Sequence, residues 1–140
     1  MKKIIMLLLF LSLVGCDCRV YYSPDEKNNI IDNTFFEIKG CYENSSGPYG
    51  SQLIITTTIK KDKYFDKESL VFRPIFGKDT LTFEDKMYGD YRYGINDESK
   101  TDNLKLIVEY DVLNHNERMK IRKVYNLHRF EDCQFSLRMH

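Results

Sequence analysis

The chain has 140 residues, with 21 lysines and arginines balancing 21 aspartates and glutamates. That length suits one domain with its own core and is too short for two, and the even charge excludes the clustered basic surplus of a nucleic-acid binder. Alanine and tryptophan are absent while Val, Ile, Thr, Tyr and Phe are plentiful, a composition that favours sheets over helices.

The first sixteen residues have their own logic. Lys2 and Lys3 give a positive start, Ile4 to Leu11 is unbroken apolar sequence, and Leu13 and Val14 extend it past Ser12. Such a run has the length of a secretory leader and falls short of the roughly 20 apolar residues that span a bilayer. Leu13-Val14-Gly15-Cys16 follows. This stretch resembles the lipobox of bacterial lipoproteins, whose cysteine thiol is acylated and whose leader is cut just before it. The resemblance implies that residues 1–15 are a signal peptide, that Cys16 carries palmitate-type chains, and that the domain sits in the periplasm or on the cell surface. One chain holds a protein to a bilayer only marginally; the two or three the resemblance implies anchor it firmly.

Cleavage removes Lys2 and Lys3, leaving 19 basic residues against 21 acidic and a net charge of −2. With Cys16 acylated, three cysteines remain: Cys18, Cys41 and Cys133. Export to an oxidising compartment makes pairing the default. Cys41 with Cys133 is the favoured bridge because both fall in the expected folded region, with Cys18 left free or exchanging with one of them. No C-x-x-C or other zinc spacing occurs, and no metal or cofactor is expected.

Residues 16–33 read as the lipidated cysteine and a polar tether, since Ser23 to Asn29 is turn-prone and aperiodic; Tyr21-Tyr22 and Ile30-Ile31 are the parts able to dock on the domain. From residue 34 to 140 the pattern is that of strands. Phe36 and Ile38 alternate with Glu37 and Lys39. Leu53, Ile55, Thr57 and Ile59 share one face. Leu70, Phe72, Phe76, Leu81 and Phe83 flank a hairpin-like turn at Gly77-Lys78-Asp79, and Pro74 marks an edge or bulged strand. Leu104, Leu106, Val108, Tyr110 and Val112 alternate with polar residues, Ile107 alone being out of phase. Beyond Asn114-His115-Asn116-Glu117 the alternation resumes with Met119, Ile121, Tyr125 and Leu127, then Cys133, Phe135, Leu137 and Met139. Seven or eight short antiparallel strands point to an all-β sandwich, immunoglobulin-like in strand count and length, or else to a small β-barrel.

The most site-like segment is Met87 to Gly94, where Tyr88, Tyr91, Arg92 and Tyr93 combine rigid amphipathic surface with flexible glycines, as binding loops do. The plainer account is that these tyrosines alternate along a strand and cover the sheet. Tyr49, in the loop Tyr42 to Gly50, is a further binding candidate. Residues 95–103 are acidic but lack the spacing that wraps oxygens around calcium. His115, His128 and His140 form no catalytic arrangement, and neither G-x-S-x-G nor H-E-x-x-H occurs. The sequence therefore suggests a non-enzymatic, lipid-anchored envelope module contacting a protein partner, such as an accessory subunit or an inhibitor or immunity lipoprotein. A glycan- or small-ligand-binding lipoprotein is the second reading.

Overall fold

The computed structural model describes residues 14–25, 31–47, 50–96 and 101–137. Every regular element in it is a strand. In chain order these are β1 (Val14–Ser23), β2 (Ile31–Asp32), β3 (Phe36–Gly47), β4 (Gly50–Ile59), β5 (Phe65–Phe76), β6 (Asp79–Thr80), β7 (Phe83–Met87), β8 (Asp90–Gly94), β9 (Asn103–Asn114) and β10 (Glu117–Leu137). All are antiparallel members of one sheet, ordered β6-β5-β9-β10-β1-β3-β4-β8-β7, with β2 lying against β3.

The sheet curls so that its two ends meet. Strand β10 makes this possible by serving two neighbours. Residues Glu117 to His128 pair with β9, whereas His128 to Leu137 pair with β1. Six places apart in the sheet, β5 and β8 nevertheless touch: the Phe72 and Tyr91 rings lie 4.7 Å apart, and the Tyr93 hydroxyl donates to the Phe72 carbonyl at 2.8 Å. The result is an all-β fold of the sandwich or small-barrel class, built from one rolled sheet rather than two separate ones.

Period-2 alternation supplies the filling. Ile38, Leu53, Ile55, Phe72, Phe76, Leu104, Leu106, Val108 and Leu127 all face inward and are buried. Aromatic rings knit them together. Phe36 meets Phe72 and Tyr110 edge-on at 6.2 and 5.5 Å, and Tyr22 meets Phe76 at 5.4 Å. Each fully buried side chain of this size contributes about 1.5–3 kcal/mol of transfer free energy. Ile107, the residue out of phase, faces outward yet is only 6% exposed, covered beside its register partners Arg73 and Val124.

Among the described residues, three two-residue turns fix the registers. Gly77 takes φ 68° as the first residue of the β5–β6 turn, the position where a type II′ turn needs glycine. Tyr88 and Gly89 (φ 53° and 83°) and His115 and Asn116 (φ 46° and 67°) are both left-handed, as type I′ turns require. Pro74 behaves as its chemistry demands. Strand β5 pairs with β9 along one edge and with β6 only at Ile75 and Phe76 on the other, and its register slips between Asp66 and Val71.

Two expectations are corrected here. The segment read as a tether begins inside the sheet, because Val14–Ser23 is β1 and Tyr22 and Ser23 are each 1% exposed. Tyr22 alternates inward with Val20, a signal two turn-prone residues downstream had masked. Cys133 is bonded to Cys18, not to Cys41. Cys18 and Cys133 are direct register partners on β1 and β10, while Cys41 points into the core from β3. The bridge closes a separation of 115 residues, which in the chain-entropy model stabilises the fold by roughly 4–5 kcal/mol.

Candidate functional site

Strands β9 and β10 run past the core. Their inner face carries the register pairs Tyr110–Ile121 and Val112–Met119. Tyr110 is buried at 3% exposure, but Met119, one pair closer to the turn, is 46% exposed. Opposite stand Phe35 and Tyr64. The Phe35 ring stacks on Phe65 at 5.2 Å and meets Tyr110 at 5.9 Å. Between these walls lies an open groove of about 1080 Å³, floored by apolar side chains.

The groove's walls are held by specific bonds. The Leu113 N–H donates to the Tyr64 carbonyl at 2.7 Å, tying the 62–65 turn to the hairpin. Asp62 closes that turn by accepting the Tyr64 N–H at 2.7 Å. Asn33 donates to the Tyr110 hydroxyl at 3.3 Å from beneath. Charge sits on the lining beside the apolar floor, with Lys63 and Lys123 against Asp62. Lys63 lies 4.8 Å above the Tyr64 ring, so its ammonium caps an exposed aromatic face. An apolar floor with a few polar groups at the edge suits a ligand or partner side chain that buries hydrocarbon and keeps a polar end in water.

The sequence-derived site is divided rather than assembled. Tyr91 and Tyr93 are core residues, 5% and 2% exposed. The two-residue β7–β8 turn puts them opposite Ile55 and Leu53, in phase with the inward face of β4. Burial pushes the Tyr93 hydroxyl well above the ordinary phenol range. They are not available to a partner. Tyr88 is 95% exposed at the turn tip. Its left-handed backbone is uncommon for a bulky side chain. Arg92 faces outward from β8, between its register partners Ile54 and Asp85, and its Nε is buried with no hydrogen-bond partner among the described residues. Tyr49 lies outside the described residues. Cys16 is opposite Phe135 on β1.

Two features went unseen in the sequence. Met119 and Ile121 read there as core-facing, and Ile121 does pack partly against the core; what the pattern could not tell is that Met119 stays exposed. The other is a cross-strand row on the outer face, where Phe130, Tyr21, Tyr42, Ile54 and Arg92 are successive register partners from β10 to β8. The Tyr21 and Phe130 rings stack at 5.4 Å. Only register brings these five together, and register is not visible in local alternation.

Chemistry at the remaining titratable groups is muted. Cys41 is buried and its thiol is pushed far up by desolvation, which removes the thiolate a nucleophile needs. Tyr22, whose hydroxyl donates to Glu43, is raised first by burial and then by that carboxylate. Among the described residues no three His, Cys, Asp or Glu side chains are placed to hold a metal ion. No protein-family model matches the chain, and neither a curated protein nor a solved structure is similar enough to match.

Proposed function

We infer that this chain is a lipid-anchored bacterial envelope module that binds a protein partner at the groove between β9–β10 and Tyr64. The single observation that carries the partner half of this reading is the groove itself. Tyr64, Leu113 and Met119 together present large apolar side chains at 49, 38 and 46% exposure around one open concavity. Apolar side chains exposed together around one concavity, with a few polar groups beside them, suit a binding site. The fitting partner offers an apolar side chain for the floor, flanked by carboxylates for Lys63 and Lys123.

The anchoring half rests on the leader and on Leu13-Val14-Gly15-Cys16. It makes the domain a displayed binding surface, with effective concentration near envelope partners raised by confinement. An accessory subunit and an inhibitor or immunity lipoprotein are both forms of this reading. Radiolabelled palmitate supplied to cells should mark the native chain and spare the Cys16→Ala variant; a variant labelled equally well would end the lipoprotein reading. For the partner, Met119→Asp should abolish a crosslink that Tyr88→Ala leaves intact.

A further inference from the structure

The connection between lipid and domain has a feature that a flexible leash would lack. After cleavage at Gly15 the chain begins with Cys16, whose backbone already pairs with Phe135. Two residues on, Cys18 is covalently joined to Cys133 on the neighbouring strand. Register pairing then continues without a break from Arg19 opposite Asp132 to Ser23 opposite His128. At the inner end, Tyr22 and Ser23 are buried in the core. No residue between the acylated position and the core is therefore left to act as a hinge.

We propose that the Cys18–Cys133 disulfide clamps the anchor strand to the sheet, making a rigid mount that holds the groove at the membrane-distal end of the molecule. The proposal rests on the lipoprotein reading above and adds an orientation to it. From Phe135, beside the lipid, β10 runs back to Glu117 at the hairpin turn, a path of roughly 60 Å if fully extended. Curling of the sheet shortens that path but leaves the two sites at opposite ends of one strand. Asn114, His115 and Asn116, which line the groove, form the turn and its approach. With the disulfide open, the segment from Cys16 to Arg19 loses its covalent tie to β10 ahead of the core-packed Val20, and peeling it away creates a leash of four residues. The domain then tumbles on the bilayer and the groove loses its fixed height.

The absence of tryptophan gives a clean probe. Full-length chain, expressed with its leader and returned to phosphatidylethanolamine–phosphatidylglycerol vesicles bearing dansyl headgroups, is compared as Asn114→Trp and Asp132→Trp variants. Both positions are solvent-exposed. Energy transfer to the headgroups should be about fivefold greater from position 132 than from 114, given the length of β10 between Asp132 and Glu117, the register partner of Asn114. Adding Cys18→Ser should bring the ratio towards one. A ratio near one with the disulfide intact, in protein whose mass shows acylation, overturns the mount alone. Protein whose mass shows an unmodified Cys16 overturns the lipid reading and the mount together. Hydrogen exchange on the same samples reads the clamp without reference to lipid: amides from Arg19 to Tyr22 should exchange about tenfold faster after reduction. Equal rates in both redox forms refute the clamp.

Discussion

Removing one oxygen atom from Tyr93 tests whether the sheet really rolls back on itself. In Tyr93→Phe the ring still fills the space between β8 and β5, but its hydroxyl no longer donates the 2.8 Å bond to the Phe72 carbonyl. Tyr93 is 2% exposed, so water does not replace the lost partner. A buried hydrogen bond contributes about 1 kcal/mol net, and an acceptor left short adds to the loss, so the expected cost is about 1–2 kcal/mol. In a domain of this size that lowers Tm by about 3–6 °C. Tyr93→Ala removes the ring as well and should cost about 3–5 kcal/mol. Urea unfolding followed by near-ultraviolet circular dichroism, with the disulfide intact, measures both, and the m-value should not change. If Tyr93→Phe were as stable as the parent within about 0.3 kcal/mol, β5 and β8 would not be packed together and the rolled sheet would be wrong.

Further outcomes follow from other parts of the fold. Gly89→Ala should destabilise by about 1–3 kcal/mol, because φ is +83° and the added Cβ would stand 2.8 Å from the Thr57 carbonyl oxygen; thermal melting measures it. Asn116→Gly, at φ 67° in a type I′ turn, should stabilise by up to about 1 kcal/mol, seen as a raised urea midpoint. Non-reducing digestion and mass spectrometry should yield one peptide pair joining Cys18 to Cys133, with Cys41 alkylated only after denaturation. Stability should be flat up to about pH 9 and then decline. The unfolded Cys41 thiol, with its ordinary value of 9.0, and the unfolded Tyr22 and Tyr93 phenols, at 10.0, release protons there while the folded groups, all raised by burial, retain theirs. Urea midpoints measured from pH 7 to 11 check the sign, and the decline above pH 10 should be shallower in Tyr93→Phe.

Most of the fold was legible in the sequence because a half-buried strand writes its burial into every second residue. The faces of Phe36 and Ile38, of Leu53 and Ile55, and of Leu104 to Tyr110 emerge as the alternation foretold. Pro74 announced an edge and a slipped register, and Gly77 a tight turn. The misreadings have physical causes. Ser23 to Asn29 looks like a loop, and that appearance spread backwards over β1, whose only signal was Val20 and Tyr22 in phase. The disulfide depends on which strands are neighbours, so leaving Cys18 outside the domain made Cys41 the default partner. Tyr88 to Tyr93 has the composition of a binding loop, yet a two-residue turn places Tyr91 and Tyr93 on the inner face and leaves Tyr88 alone outside. The groove was illegible for a related reason. Met119 carries the mark of an inward-facing residue, and only the three-dimensional path shows that the end of the β9–β10 hairpin outruns the core beneath it.

The partner-binding claim is tested most directly in living cells by a photo-reactive amino acid placed at Met119 on the groove and, separately, at Lys105, an exposed site on the outer face of β9. Irradiation should give one discrete protein adduct from position 119 and none from 105. No adduct at 119, or the same adducts at both, would contradict the assignment of the groove as the contact surface.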